Sequence, residues 1–379
     1  MRKITCFSLV LITILFASCK EEITLDSSKK DTILVVDGLI TNEKGAIIKL
    51  FLTSEINNTV KLPYSGCLVS INENNTKSET LAETEPGIYC STNDGIIGKV
   101  GNQYQLIITT PDGKIYKSDF QTIAEPVEID SLYYDFMKRE VLGYPFGLPG
   151  YQFYVTAKQT HTSETYFLWT MEESFQYTAD YKLYAIDGGA GIRICGIDTV
   201  TEYENLYRCW ITKPASYIFT GKTSNLSIPH IEEQPLMFIG TDSKKLQERY
   251  SLLLTQCVIN KEAYYFWKGI EDQISEDNFL VANQPYNIIG NVENINNPEE
   301  MVFGYFTVAS VTQKRIFVNR PYAAFYYEIC YIDYDGNFLP PPKFYILLEN
   351  GMLGEVLEPC VNCTSEGGEP VKPDFWVDF

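Results

Sequence analysis

The sequence is poor in histidine and in positive charge. Of its 379 residues only 2 are histidine, which excludes chemistry that depends on several imidazole groups. The 30 Lys and Arg residues are outnumbered by 49 Asp and Glu residues, so the formal net charge is -19. Because nucleic-acid binding needs clustered positive charge on the protein, a nucleic-acid partner is not expected.

Recognisable catalytic motifs are also missing. No Gly-x-Ser-x-Gly and no His-Glu-x-x-His occurs, so neither His161 nor His230 is assigned to a nucleophile or a metal. The glycine-rich stretch 187–191 lacks a following Gly-Lys-Ser/Thr, which favours a turn over a phosphate cradle. Adjacent acids such as Glu172 and Glu173 are expected on solvated faces. No catalytic residue, metal ligand or cofactor is therefore assigned, and the chain is not expected to be an enzyme.

The one long apolar run that we single out lies at the start of the chain. Arg2 and Lys3 precede apolar residues 4–17, which suit a signal peptide and are too few for a membrane-spanning helix. Small residues then precede Cys19, as lipoprotein signal peptidase requires. Residues 1–18 are predicted to be a lipoprotein signal peptide and Cys19 the lipidated residue. An ordinary secretory signal with a chance cysteine is the alternative.

The residues after this cysteine indicate a destination. Lys20, Glu21 and Glu22 resemble the export signal that sends lipoproteins of Bacteroidetes to the cell surface. Several acyl chains on one cysteine make an effectively permanent anchor. We therefore expect an outer-membrane protein that faces the cell exterior, held by a lipid-anchored tether of residues 19–30.

The remaining sequence favours strands. It contains 27 Tyr and 21 Phe, and β-branched runs alternate with turn residues. Residues 31–125 are predicted to form an immunoglobulin-like or transthyretin-like β-sandwich. Residues 126–379 are predicted to form a larger β-rich domain that ends in a Cys-x-x-Cys tail. Within the sandwich, Pro111-Asp112-Gly113-Lys114 predicts a hairpin turn, and Tyr104 predicts a tyrosine corner.

A single segment has clear helical periodicity. Asn260 is a favourable N-cap, and Glu262 suits the positive end of the helix dipole. The apolar residues that share one face are Ala263, Phe266, Trp267, Ile270 and Ile274. We predict an amphipathic helix at about residues 260–275, and we expect this face to pack on a sheet rather than to form a ligand-binding box.

The cysteines indicate disulfides. After Cys6 and Cys19 are set aside, 8 of the 10 cysteines remain, an even number in an exported chain. Cys67 and Cys90 are predicted to pair because no other cysteine lies in the first domain. Cys195 and Cys209 flank a short polar segment and are a second candidate pair, across a hairpin. The others are Cys257, Cys330, Cys360 and Cys363.

Cys360 and Cys363 have a spacing that also occurs in redox and zinc sites. No βαβ setting supports the redox alternative, and no further thiol or imidazole lies close in sequence to complete a zinc site. We predict that both cysteines are oxidised to disulfides and hold the tail in place. Phe375 and Trp376 would then pack against the second domain.

Motifs along nearly the whole mature chain resemble one family of surface lipoproteins of Bacteroidetes, known only as a domain of unknown function. They are Val35–Ile40, Ile129–Leu132, Glu262–Trp267, Gly290–Val292, Val302–Phe306, Cys360–Cys363 with Gly367 and Gly368, and Lys372–Trp376. The resemblance implies an outer-membrane lipoprotein that is often encoded beside a TonB-dependent receptor. It brings no catalytic or ligand-binding residue, so we interpret the motif residues as fold-determining.

These expectations combine into one function. The protein is expected to be a non-enzymatic, ligand-binding accessory subunit of a TonB-dependent nutrient transporter, with the outer membrane and the receptor barrel as its partners. The ligand would be a peptide, a glycan or a metal chelate. An adhesin or envelope structural protein is the alternative, and a hydrolase is the third hypothesis.

Overall fold

The computed structural model describes residues 32–53, 62–158, 164–195, 206–224, 228–276, 288, 290–334 and 342–378. Here the protein is mainly β, as predicted, with about half of the described residues in strands. The predicted signal peptide, Cys19 and the export tripeptide at residues 20–22 lie outside these ranges, as does His161. None of the helices in the described ranges is long and apolar enough to span a membrane.

The first unit is a two-layer sandwich. Its strands are β1 (Leu34–Thr41), β2 (Ile47–Leu52), β3 (Leu62–Pro63), β4 (Leu68–Glu73), β5 (Lys77–Thr80), β6 (Ala82–Glu85), β7 (Ile88–Cys90), β8 (Gln103–Thr109), β9 (Ile115–Ser118) and β10 (Gln121–Thr122). Strands β1, β2, β7 and β6 form one layer, and β9, β8, β4 and β5 form the other. Alternate residues point inward, so Val36 and Ile48 meet Ile71 and Leu106 in one core. The predicted sandwich is confirmed.

Local predictions within the sandwich are also confirmed. The buried Tyr104 hydroxyl accepts a hydrogen bond from the Lys99 backbone N–H at 2.8 Å and donates one to Glu73 at 2.9 Å. This is a tyrosine corner. Burial and the hydrogen bond to Glu73 raise the pKa of Tyr104 to about 12, so the hydroxyl stays protonated near neutral pH. The predicted hairpin turn joins β8 to β9, with Gly113 at a φ of 84°.

The second unit has three layers. The strands that follow β10 in the chain are β11 (Ile129–Arg139), β12 (Leu148–Ala157), β13 (Tyr166–Thr178), β14 (Ala185–Asp187), β15 (Ile192–Ile194), β16 (Arg208–Pro214), β17 (Phe219–Lys222), β18 (Gln234–Gly240), β19 (Arg249–Ile259), β20 (Val292–Asn294), β21 (Val302–Asn319), β22 (Lys343–Leu347) and β23 (Leu353–Val356). The α-helix, α1, spans Lys261–Glu276, and 3-10 turns span Lys244–Leu246, Glu358–Cys360 and Cys363–Glu366. The β11–β12–β18 sheet covers one face of β13, β19 and β21, and α1 covers part of the opposite face.

One ten-stranded main sheet joins the two units. Its central order is β16–β13–β19–β21–β1–β2–β7–β6. Strand β1 runs parallel to the first half of β21, from Leu34 opposite Val302 to Thr41 opposite Ala309, whereas the second half of β21 pairs with β19. Strand β20 pairs with β9 of the other layer. The predicted domain boundary near residue 125 lies where the chain leaves the sandwich. The prediction did not include the segment of residues 292–309, which returns to the sandwich and pairs with β9 and β1.

The return depends on two of the motifs noted in the sequence. Gly304 has a φ of +90°, and a β-carbon there would lie 1.9 Å from the Val36 carbonyl oxygen. A β-carbon at Gly290 would lie 1.7 Å from the Gly304 oxygen. The Asn291 side chain accepts from the Phe306 N–H at 2.8 Å and donates to its carbonyl at 3.0 Å, as a neighbouring strand would. These motif residues therefore determine the fold.

The predicted helix is confirmed. The Asn260 side chain accepts a hydrogen bond from the Ala263 N–H at 2.7 Å, which is an N-cap interaction. Ala263 and Phe266 are buried against strand residues of the main sheet, including Leu168. Trp267 is half-buried, and its Nε1 donates to Thr307 Oγ1 at 3.1 Å. The helix is thus attached to the sheet along its predicted apolar face.

The predicted pairing of Cys67 with Cys90 is wrong. Tyr89 points into the core, where its hydroxyl accepts a hydrogen bond from the Cys67 N–H at 2.9 Å. Because successive side chains of a strand point to opposite faces, Cys90 points away from Cys67. Both remain free thiols.

The predicted pairing of Cys195 with Cys209 is also wrong. Cys195 follows β15 in a small sheet of order β15–β14–β22–β23, whereas Cys209 lies in β16 of the main sheet. Cys209 instead forms a disulfide with Cys363, and Cys330 forms one with Cys360. The two cysteines of the Cys-x-x-Cys motif are therefore both oxidised, as predicted, but with two different partners. Neither sulfur is left as a thiolate ligand for zinc or as a redox dithiol.

The C-terminal tail, residues 363–378, lies along the main sheet. Trp210 and Glu369 exchange two backbone hydrogen bonds of 2.9 Å, so the tail covers the outer edge of β16. Trp376 is buried and packs edge-on against Phe317, with ring centroids 5.6 Å apart. Phe375 packs against the guanidinium of Arg315, 3.7 Å from its ring centroid. The prediction that both aromatic residues pack against the second domain is confirmed.

Candidate functional site

The candidate site is a groove on the outer face of the main sheet, the face opposite the β11–β12–β18 sheet. Strands β13, β19 and β21 form its floor, and their register aligns the side chains in rows across the strands. The first row is apolar and contains Leu168, Cys257 and Val311. The second row is polar and contains Thr170, Thr255 and Gln313. Because strand residues alternate in direction, the intervening residues belong to the core on the other face.

The polar row is accessible. Thr170 and Thr255 are half-buried, and Gln313 is exposed. The Gln313 amide donates to Thr255 Oγ1 at 2.8 Å, which fixes the amide over the floor. The row therefore presents uncharged donors and acceptors at fixed positions on rigid strands.

Two walls enclose the groove. They are formed by the indole of Trp267 from α1 and by residues around the β1–β2 turn, among them Leu39, Glu43 and Lys44. Together they enclose a cavity of about 350 Å³. This volume lies within the range of small-molecule sites, which occur preferentially where structural units meet.

The floor continues beyond the cavity towards the tail. In the next row Arg315 forms an ion pair with Glu172 at 3.0 Å and donates to Ser251 Oγ at 3.1 Å. Phe375 of the tail lies on the Arg315 guanidinium. From Leu168 to Glu172 the strand advances roughly 13 Å, which is the length of the floor over these three rows.

The groove floor is electrostatically neutral. Its Arg315 and Glu172 charges neutralise each other, and at the rim Asp37 pairs with Lys49 at 3.7 Å. Burial raises the pKa of the Cys257 thiol to about 12. Cys257 is therefore protonated near neutral pH and unsuited to act as a nucleophile.

The two adjacent acids of β13 were expected on a solvated face, and for Glu173 this is wrong. Glu173 is almost fully buried, and both of its carboxylate oxygens accept hydrogen bonds of 2.8 Å from Lys245. Because neighbouring strand residues point to opposite faces, Glu172 reaches the groove and Glu173 does not. The two carboxylates therefore cannot act together on one substrate.

Sequence reasoning did not find the groove. Trp267 was assigned to packing, and Thr170, Thr255 and Gln313 were not singled out. The signal in the sequence was weak: Thr170 and Thr255 are each a polar residue within an apolar stretch of a strand. The predicted disulfide candidates lie elsewhere, and within the described ranges no group of three or more His, Cys, Asp and Glu side chains could hold a metal ion.

The fold and groove define a two-unit β protein with a ligand-sized site on a shared sheet. The sequence matches the family DUF4249, a domain of unknown function, over residues 20–315. This match covers most of the chain, so the protein belongs to that family. The matched range includes the first unit, α1 and the groove floor, and strands β22 and β23 of the small sheet and the tail follow it. A comparison with curated proteins gives no match.

Proposed function

We propose that this protein is a lipid-anchored outer-membrane protein of Bacteroidetes that faces the cell exterior and binds a ligand as a non-enzymatic accessory subunit of a TonB-dependent nutrient transporter. The observation that carries the proposal is the groove between α1, the β1–β2 turn and the tail. It combines a cavity of about 350 Å³ with uncharged polar groups held on three long strands. Such a site can bind a small ligand without altering it.

The sequence supports the location. Cys19 follows a signal-like apolar run, and Lys20, Glu21 and Glu22 resemble a surface-export signal. A receptor barrel in the same membrane would be within reach of a protein anchored there. A rigid binding groove on such a protein would hold the nutrient close to the barrel entrance.

Co-purification tests the transporter partnership. The full-length lipidated protein, tagged at its C-terminus, would be isolated from cells in mild detergent. A stoichiometric β-barrel partner is expected, and it should be missing from preparations of the Cys19→Ala variant, which cannot be anchored. Repeated recovery of the lipidated protein alone would contradict the proposal.

One observation favours an adhesin or envelope structural role as the second candidate. The turn between β11 and β12 exposes Leu142 completely and Phe146 almost completely, and Tyr322 is fully exposed as well. Tyr144 in this turn packs against Tyr326 of the adjoining segment, so the two segments form one apolar end. Exposed apolar patches often mark contacts with other macromolecules.

The same end offers a discriminating variant. Leu142→Ser with Phe146→Ser should abolish cell adhesion if this end is an adhesive surface. If the protein serves a transporter through the groove, nutrient uptake should persist in this variant. Loss of nutrient uptake with intact adhesion would indicate that the apolar end serves the transporter and that adhesion uses the groove.

A further inference from the structure

We propose that the groove binds a short neutral oligosaccharide, an inference that rests on the proposed ligand-binding function and names its ligand class. The polar row carries two hydroxyls and one carboxamide, from Thr170, Thr255 and Gln313, and each group both donates and accepts hydrogen bonds. Neighbouring strands are about 4.8 Å apart, so these groups form a line of closely spaced partners. Adjacent sugar hydroxyls present the complementary pattern of donors and acceptors.

Aromatic side chains flank this row on its two sides along the strand direction. Trp267 lines the cavity at the helix end, and its Nε1 is held by Thr307. Phe375 lies at the tail end, on Arg315. Pyranose rings have apolar C–H faces beside their polar edges, and an amphipathic indole is suited to such a surface. The apolar residues Leu168 and Val311 on the floor also suit the apolar C–H faces of pyranose rings.

The charges argue against an anionic ligand. Arg315 is already paired with Glu172 and covered by Phe375. At the rim, Lys44 lies beside Glu43, and Asp37 pairs with Lys49. The chain as a whole carries a net charge of -19, so long-range electrostatics would repel a polyanion. A ligand without charge meets none of these obstacles.

The strand pairing argues against an extended peptide. Peptides often bind by adding a strand to a free sheet edge, where backbone groups supply the hydrogen bonds. Strand β19 lies between β13 and β21, and β13 has further partners in β16 and β17. The groove therefore offers side chains on a sheet face, which suits a ligand recognised through its own hydroxyl groups.

Calorimetric titration tests this inference. The full-length protein would be prepared in a detergent without a sugar headgroup and titrated with maltotetraose, cellotetraose, xylotetraose and chitotetraose. Tetragalacturonate and tetra-alanine would serve as the anionic and peptide probes. We expect binding of at least one neutral tetrasaccharide and weaker or no binding of the other two probes.

Variants locate the binding. Thr255→Val with Gln313→Ala should weaken the binding of that tetrasaccharide at least tenfold, a loss of about 1.4 kcal/mol or more. The matched control, Thr109→Val with Gln103→Ala on the outer face of β8, should bind as the unchanged protein does. A melting temperature equal to that of the unchanged protein would show that the groove variant is folded; if it falls, Gln313→Ala alone, at an exposed position, replaces the pair in the test.

Several results would overturn the inference. These are no binding of any neutral tetrasaccharide, preferential binding of tetragalacturonate or tetra-alanine, or full affinity in the groove variants. Co-purification with a receptor barrel is measured separately. A retained barrel without sugar binding would refute the oligosaccharide and leave the transporter role, whereas sugar binding without a barrel would refute the transporter role alone.

Discussion

Gly304 shows how a single residue permits the two units to share a sheet. It combines a φ of +90° with a backbone contact that leaves no room for a β-carbon beside Val36. We expect Gly304→Ala to lower the free energy of unfolding by about 3–5 kcal/mol, because it adds a clash with backbone to an unfavourable φ. Urea denaturation monitored by fluorescence measures this change.

Gly351 provides the matched control for that substitution. Its φ of +80° is similar, but nothing lies within 4 Å of the position of its β-carbon. Gly351→Ala should therefore cost only the conformational term of about 1–2 kcal/mol. Equal losses for the two variants would show that the contact with Val36 is unimportant.

Glu300 links the segment of residues 292–309 to the first unit. Its carboxylate accepts hydrogen bonds from Tyr116 at 2.7 Å, Lys114 at 2.9 Å and Asn294 at 2.7 Å. Burial alone would raise the pKa of Glu300, but these hydrogen bonds outweigh it, and the net pKa lies below the ordinary value. The ionised form is thus favoured by folding.

The lowered pKa predicts a dependence of stability on pH. A carboxyl group with a depressed pKa stabilises the fold above its unfolded pKa of about 4.3, and this contribution is lost as the pH falls through the folded value. Glu300→Gln should therefore melt at a lower temperature than the unchanged protein near pH 7, and the difference should shrink below about pH 4. Exposed Glu299→Gln is the control, and a constant difference for Glu300→Gln across this range would contradict the prediction.

At the scale of elements, the tail is held by a disulfide and by backbone pairing with β16. Removing the Cys209–Cys363 disulfide by alanine substitution of both residues should destabilise the protein by about 2–5 kcal/mol. It should also expose Trp376 and make residues 364–378 sensitive to protease. Limited proteolysis and tryptophan fluorescence provide the readouts.

The other disulfide serves as the comparison. Removing Cys330–Cys360 should loosen the small sheet while Trp376 remains buried, since the link to β16 is intact. Thiol titration of the denatured, unreduced protein should find Cys67, Cys90, Cys195 and Cys257 reactive. Reactivity at Cys360 or Cys363 instead would refute the observed connectivity.

Elements specified by local signals were predictable from the sequence. Asn260 caps the helix through a hydrogen bond from Ala263, three positions away. The turn at Pro111–Lys114 depends on the backbone conformations of its own residues. The tyrosine corner links Tyr104 to Lys99, again a short distance along the chain. In each case the interacting residues can be read from one short segment.

Elements specified by distant partners were not predictable. Strand β1 has its parallel partner in β21, and Cys209 has its partner at Cys363, far along the chain. Thr170, Thr255 and Gln313 come from three strands, and only the register of those strands brings them together. A polar residue in one strand does not indicate which residues of other strands will lie beside it. The groove could therefore be recognised only from the structure.

At the scale of the whole molecule, the proposed lipid anchor on Cys19 would decide where the groove operates. Cys19→Ala should release the protein from the membrane fraction, since the lipid is the expected attachment. Alanine substitution of Lys20, Glu21 and Glu22 should leave the protein lipidated but protected from protease added to intact cells. Membrane fractionation and protease shaving measure the two outcomes, and digestion of the triple variant by external protease would refute the surface-export signal.

Under the proposed export, the parallel pairing of β1 with β21 constrains how the protein must fold. A chain that crosses the inner membrane from its N-terminus delivers β1 early, but residues 302–309 arrive only after most of the polypeptide has emerged. Until then one edge of β1 lacks its strand partner, and such an edge is prone to pair with other chains. Contacts between such distant segments also slow folding. If the protein is exported as proposed, periplasmic chaperones that shield strand edges should therefore affect its yield more than that of a lipoprotein whose N-terminal domain closes on itself.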